Sequence, residues 1–569
     1  MKIRCVLVFV FGLTMTSISS AQKPSADVIF INGKVYTGKS HMIGRGGLSG
    51  LSEGFEVLRV HALAVFGGRI IAAGSNEEVQ KLKGPNTQVT DLHGHFVMPG
   101  FNDAHTHLAS AGFEKLNVDL VGTESLDQMK ERIAAHVKTA VPGEWITGAG
   151  WDHTLWASQK TPARQEIDAV TGEHPAIFTR VDGHIAIANT AALKVAGIDR
   201  QSPDPLGGKI DRDENGDATG ILRETAMAAV RTKIPPPTPA QRRRALELAL
   251  QDAAQWGITS AQDNSEWEDF LTYEQMEKEG KLTLRISEWL RFDAPLDQLK
   301  SMRAHHSAGD AMLHTTMLKG FMDGSLGSRT AAMLAPYSDD PTNSGLPRYE
   351  QDALNKKAAE RAQAGFQIGL HAIGDRGARM ALSAFAFAIA EQQRDKRDFR
   401  FRIEHAQVIA PEDFRKFKDL HVIASMQPNH LLTDMNWGEA HIGEQRALHS
   451  YAWKEFLDDG IRLAFGTDYP VEPITPFRGL YAAVTRKNEA GTKEYFPEQK
   501  LDIHQAIAAY TRGSAYAEFM ERDKGTLVPG MLADFVVLDR DITQVAPADI
   551  LKTKVLRTVV GRKTVYEAK

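Results

Sequence analysis

VMPGFNDAHTH, residues 97–107, is a short apolar run, a glycine turn and then two histidines one residue apart. Side chains two apart on an extended backbone face the same way, so His105 and His107 aim their imidazoles at one point. Divalent metals of intermediate softness, zinc among them, accept imidazole nitrogen, and a stable shell needs further ligands from elsewhere in the chain. The chain has 20 histidines, so one His-x-His pair arises readily by chance. The pair gains meaning only if other segments complete the shell.

Downstream of it, strand-like segments recur: GITSAQD (257–263), LTLRISEWL (282–290), MLHTTMLKGFMDG (312–324) and FQIGLHAIGD (366–375), then FRFRIEHAQ (399–407), HVIASMQPNH (421–430) and IRLAFGTDYP (461–470). Helical stretches such as QRRRALELALQDAAQWG and EDFRKFKDL lie between most of them. With the opening strand these make eight β-then-α units, which predict an α/β fold, a (β/α)8 TIM-like barrel with its chemistry at the C-terminal ends of the strands. An open doubly wound sheet is the alternative, but no Gly-x-Gly-x-x-Gly loop follows the first strand. The gap between the first and second strands is far longer than one βα unit. It holds GEWITGAGWDHTLW, AIFTRVDGHIAIANTAAL and a polar passage at 202–219 that reads as loop or hairpin. An inserted subdomain at residues 110–240 is expected there, over the barrel mouth where long loops shape pockets.

Upstream, DVIFINGKVYTG, ALAVFGGRIIAAG and TQVTDLHGHFVMPG alternate like hairpin strands, with a Gly/Ser-rich loop at 38–55. The C-terminal segments GTLVPGMLADFVVLDRD and KVLRTVVGRKTVYEA have the same character. Neither end alone supplies a comfortable core. Residues 22–98 and 525–569 are therefore expected to form one small composite β-sandwich domain, with the barrel, residues 99–524, inserted between its parts.

The strand ends carry the chemistry. His105 and His107 close the first strand, Lys319 the fourth, His371 the fifth, His405 the sixth and Asp468 the eighth. Singly, each histidine is best read as a strand cap; jointly they supply four imidazoles and a carboxylate where a barrel places its reactive groups. A metal there lowers the pKa of a bound water and polarises a carbonyl. Asp468 can orient the metal-activated hydroxide, take its proton and return one to a departing amine. A donor such as His371 would then support the tetrahedral oxyanion. Serine chemistry is the competitor, but there is no Gly-x-Ser-x-Gly elbow, and Ser325 and Ser328 lack evident partners.

At this point the chain resembles the metal-dependent amidohydrolase superfamily, in its amidohydrolase family 3 branch, which contains N-substituted formamide deformylase. The resemblance runs through PGFNDAHTH, GWDHTLW, RVDGH, KGFMDGSLGSRTA, LHAIGDRG, IEHAQ, AFGTDYPVEP and the ending LVPGMLADFVVLD. It implies that His105, His107 and Asp468 bind one ion and that His371 and His405 bind a second. It also implies that Lys319 bridges the two as a carboxylated amine. An ammonium cannot ligate a cation, so the lysine must be neutral or carbamylated to join the shell. The implied cofactor is a divalent metal, Zn2+ first, as one or two ions, with two favoured if the bridge exists.

Asp323 is a rival acidic ligand or a supporting partner. Substrate contacts are expected from Trp151, Asp152, Arg180, Asp182 and His184 in the insertion, and from Arg329 and Gln427 near the strand ends; His430 can also face the mouth.

The expected reaction is hydrolysis of a non-peptide carbon–nitrogen bond in a small molecule, an amide, formamide or similar. A dipeptidase-like or an ester or lactone hydrolase is the neighbouring alternative. A periplasmic binding protein that has lost catalysis belongs to a different class and should lack at least one strand-end residue, yet all six are present.

A formal charge of −5 with 24% charged residues gives no basic stripe for nucleic acid. Residues 1–21 pair Lys2 and Arg4 with the apolar run CVLVFVFGL and end in Ser19-Ser20-Ala21, a cleavable secretory signal that predicts a periplasmic or secreted protein. The only cysteine, Cys5, lies within that signal, so the mature chain has neither disulfide nor catalytic thiol. No apolar run of about 18 residues follows, so no stable membrane insertion is expected after cleavage. The sequence carries no readable signal for or against a homo-oligomer.

Overall fold

The computed structural model describes residues 25–42, 55–392 and 397–569. The signal segment with Cys5 and most of the Gly/Ser-rich loop lie outside these described residues.

Eight strands form one parallel sheet: β1 (Phe101–Thr106), β2 (Ile258–Asp263), β3 (Arg285–Arg291), β4 (Leu313–Phe321), β5 (Gln367–Ala372), β6 (Arg402–His405), β7 (Ile423–Met426) and β8 (Leu463–Phe465). They lie side by side in chain order, each parallel to the next. Every residue of β1, β2, β6 and β7 is buried, as expected where helices cover the outer face and side chains fill the lumen.

Closure runs through the segment that follows β8. The Asp468 N–H donates to the His105 carbonyl at 2.8 Å, and the His107 N–H donates to the Tyr469 carbonyl at 2.8 Å. Beneath them the buried Asp103 carboxylate accepts the Thr467 N–H at 2.9 Å, the Thr467 hydroxyl at 2.6 Å and the His105 N–H at 3.1 Å. The seam that closes the barrel therefore also sets His105, His107 and Asp468 against one another.

The two chain ends meet in a six-stranded sheet. Phe535–Leu538 runs antiparallel to Phe96–Pro99, with Phe535 opposite Pro99 and Leu538 opposite Phe96. A four-stranded sheet made from Ala26–Ile31, Ala62–Phe66, Arg69–Gly74 and Lys83–Asp91 packs on it. Period-two alternation points Val28, Phe30, Leu63 and Val65 at Phe535 and Val537 in one apolar cluster. There the Phe30 and Phe535 rings stand edge to face at 4.9 Å. Arg285, at the start of β3, joins this domain to the barrel through a buried two-pronged pair with Asp534, at 2.6 and 2.9 Å.

The insertion leaves from the C-terminal end of β1. Its sheet orders Gly208–Arg212, Ala218–Glu224, Ile185–Ala188, Ala176–Arg180, Ile146–Trp151 and Val118–Asp119 side by side. The polar passage read as loop or hairpin is an antiparallel hairpin, with Ile210 opposite Leu222. Trp151, Trp156, Phe178 and Ile187 form part of its own core. The chain returns along helix Pro239–Gln255, which Thr238 and Gln241 cap reciprocally and Pro239 opens. This helix packs on Leu108–Leu116 so closely that a Cβ at Gly112 would collide with the Ala245 carbonyl. No helix among the described residues is long and apolar enough to cross a membrane.

Candidate metal centre

Six side chains converge at the C-terminal ends of the strands. The neutral tautomers follow from their outer partners. His105 sets Nδ1 against the Glu404 carboxylate at 2.9 Å, and His107 sets Nδ1 against the Asn264 carbonyl at 3.1 Å. Both outer nitrogens then carry the proton, and both Nε2 lone pairs point inward. Asp468 Oδ1 meets them, 3.1 Å from His107 Nε2 and 3.5 Å from His105 Nε2. Three acceptors facing one another without a proton repel unless a positive charge lies among them. The chain supplies one in the Lys319 ammonium, which donates to His105 Nε2 at 2.9 Å.

Burial shapes the charges. It lowers the pKa of His105 to about 4 and that of His371 to about 3, in both cases helped by the Lys319 charge, and it pushes His405 well down. All three imidazoles are thus neutral near pH 7 and offer lone pairs. Burial also lowers Lys319, to about 8, against the pull of Glu404 and Asp468. For Asp468, burial favours the protonated form, but His105, His107, His405 and His430, where they carry protons, outweigh it and hold the carboxyl well below its usual range.

His105 rests on a buried network that the sequence did not reveal. Glu404 Oε2 also accepts the Ser425 hydroxyl at 2.7 Å, while Arg402 Nε sits 2.8 Å from Glu404 Oε1. Arg402 further donates to Ser425 Oγ at 2.8 Å, to the Ala104 carbonyl at 2.9 Å and to Gln262. Burial would raise Glu404, but Arg402, His105 and Lys319 bring it down to about 2, a fixed anion behind the ligand. Strand alternation would send His405 away from the lumen that Glu404 faces. A left-handed backbone at His405, φ 71°, accompanies its turn inward, and Asp468 has φ 59°.

Two triads form here, each with its own ligand atoms within 4.8 Å of one another: His105, His107 and Asp468, and His405, His430 and Asp468. His371 belongs to neither, although its ring centroid is 4.4 Å from that of His405. Its Nε2 contacts the Gly324 carbonyl at 3.0 Å. A neutral His371 donating there keeps only a lone pair at Nδ1, which suits a cation or a proton and not an oxyanion. Asp323 lies behind it, 3.4 Å from His371 Nε2, and accepts main-chain N–H groups of Ala332 at 2.9 Å, Ile373 at 3.1 Å and Gly374 at 2.8 Å. Burial nevertheless raises its pKa to about 7.

The residues present fit a divalent ion. Asp468 Oδ1, His405 Nδ1 and His430 Nε2 are all buried without a hydrogen-bond partner, and such groups are normally satisfied in a native core. Imidazole and carboxylate donors are those that zinc takes.

The residues expected to touch substrate are spread more widely. Gln427 is buried beside the centre, its amide 3.4 Å from His105 Nδ1. Trp151 is wholly buried in the insertion core and donates its indole N–H to the Phe178 carbonyl at 2.9 Å. Arg180 binds Asp152 at 2.6 Å and also Asp182, and the exposed His184 pairs with Glu224 at 3.0 Å. Arg329 is engaged by Asp339 at 2.7 Å and by His441 Nε2 at 3.1 Å.

Known proteins share this architecture. The chain is 32% identical to Protein LONG AFTER FAR-RED 3 of Arabidopsis thaliana, over 97% of this chain and 94% of that one. It is 27% identical to N-substituted formamide deformylase of Arthrobacter pascens, over 89% and 95%. A crystal structure of an uncharacterized metal-dependent hydrolase from Pyrococcus furiosus superposes with a TM-score of 0.73 at 29% identity, covering 91% of this chain and all of that one. The sequence model of the Amidohydrolase family matches residues 88–566, and this chain belongs to that family.

Proposed function

We propose that the protein is a metal-dependent hydrolase that adds water across a carbon–nitrogen bond of a small amide, formamide or related compound. The observation that carries this reading is the Asp468 carboxylate, buried between two pairs of imidazoles at the C-terminal end of the barrel. A divalent ion bound there lowers the pKa of water towards neutrality and polarises the substrate carbonyl. Asp468, anionic and fixed by the closure seam, accepts the proton of the attacking water and returns it to the leaving nitrogen. For a formamide the balance is R–NH–CHO plus water giving R–NH2 and formic acid. The deformylase named in Arthrobacter pascens supports that substrate class.

Zinc is the ion we assign, from the imidazole-rich donor set, and we favour two ions. Lys319 supports a bridging role: with its pKa brought down to about 8, a useful fraction is neutral amine, the form that adds to carbon dioxide. The dipeptidase alternative needs a free cation to clamp a substrate carboxylate. Arg180 and Arg329 are already matched by Asp152, Asp182 and Asp339, which weighs against it.

The test is a panel of N-alkyl and N-aryl formamides, N-acyl amines, dipeptides and lactones, followed by product mass. Turnover is expected in the first two groups. Turnover confined to dipeptides or lactones would remove the non-peptide carbon–nitrogen reading of the substrate while sparing the metal centre.

A further inference from the structure

His430 lies in the first turn of the helix Pro428–Asp434, which starts two residues after β7 ends, and so it stands off the strand ends that supply the other groups. Its ring nevertheless stacks on that of His405, with centroids 6.0 Å apart and planes at 22°. Its Nε2 points at Asp468 Oδ2 from 3.6 Å, too far for a hydrogen bond, and is buried with no partner. His405 Nδ1 is likewise buried and unpartnered. Asp468 thus offers Oδ1 to His105 and His107, and Oδ2 to His430.

We infer that His430 is a metal ligand, and that it completes a second cation position with His405 and the Oδ2 side of Asp468. The inference rests on the metal-dependent reading above and adds to the strand-end shell a ligand carried by a helix. The same arrangement explains why a histidine is tolerated here at all. A buried imidazole nitrogen without a partner is unfavourable, and a carboxylate oxygen just beyond hydrogen-bond reach leaves room for an ion between them. Zinc sits about 2.0–2.1 Å from histidine nitrogen and about 2.0–2.2 Å from carboxylate oxygen. An ion between atoms 3.6 Å apart therefore needs only small side-chain adjustments. Pro428 and the first turn of the helix fix the ring from the main-chain side, with the His430 N–H donating to the Gln427 carbonyl at 3.2 Å.

The test counts metal and leaves hydrolysis aside, so its failure is separable from failure of the functional reading. Wild type and His430→Gln are stripped with chelator, reloaded with excess zinc, desalted and analysed for zinc per chain. The expected result is two equivalents in wild type and one in His430→Gln. Equal loading of the two proteins, or a single equivalent in wild type, would overturn the inference. Should His430→Gln fail to fold, anomalous diffraction at the zinc edge from wild-type crystals decides the matter. A peak bonded to His430 Nε2 is expected, and zinc peaks that leave His430 unligated would overturn it.

Discussion

Glu404→Gln keeps the shape of the side chain and removes only its charge, so it isolates what the buried anion does for His105. Glu404 Oε2 accepts from three groups: His105 Nδ1, the Ser425 hydroxyl and a terminal N–H of the Arg402 guanidinium at 3.3 Å. A glutamine has one accepting oxygen, and its amide must face a donor whichever way it turns. If the amide faces Arg402, two sets of N–H groups oppose each other and a fully buried guanidinium loses its counter-charge. Removing one partner of a buried ion pair costs about 3–5 kcal/mol. If it faces His105, the imidazole must accept at Nδ1, and the proton moves to Nε2, where it blocks the inward lone pair. Loss of such an outer partner lowers metal affinity about 10- to 100-fold, or ~1.4–2.8 kcal/mol. Urea unfolding of the metal-free protein measures the first effect, and chelator competition on the loaded protein measures the second. A variant that loses less than about 1 kcal/mol and binds zinc like wild type would show that Glu404 neither balances Arg402 nor sets the His105 tautomer.

Asp534→Ala should destabilise the protein by about 3–5 kcal/mol, because it strands Arg285 between barrel and β domain; unchanged urea unfolding would refute that role. In metal-free protein Lys319 titrates near 8 when folded and near 10.5 when unfolded, so between these values only the unfolded chain keeps the proton. Stability should therefore rise from pH 8 to 10.5, by up to ~3 kcal/mol relative to Lys319→Met; a flat difference between the two would contradict a buried ammonium. We also propose export with cleavage between Ala21 and Gln22. The intact mass of protein from the cell envelope should start at Gln22, and a cytoplasmic product that retains Met1 would dismiss it.

Much of this architecture was legible because barrel strands end in their functional groups. His105, His107, Lys319, His371, His405 and Asp468 each close a segment whose apolar character marks it as a strand, and the lumen brings them together. The supporting layer was not legible for a physical reason. Arg402 and Glu404 lie inside the strand RIEH, where charged residues ordinarily signal a solvent face. Here that face is the barrel lumen, and the charges are matched across strands by Ser425 and His105. His430 was visible only as a polar residue after the seventh strand, because a helix and not a strand aims it. Trp151 misled in the other direction. An aromatic beside Asp152 in Gly-Trp-Asp-His resembles a pocket wall, yet strand alternation turns it into the insertion core. The insertion has its own sheet and core, so its residues answer first to local packing.

Stoichiometric reconstitution tests the metal-dependent hydrolysis most sharply. Protein stripped of metal is titrated with zinc while hydrolysis of its best amide or formamide substrate is followed, with Asp468→Asn in parallel. Stripped protein should show no turnover, activity should climb with added zinc and saturate at the bound stoichiometry, and Asp468→Asn should show none at any zinc level. Full turnover by the stripped enzyme, or by Asp468→Asn, would contradict the metal-dependent reading.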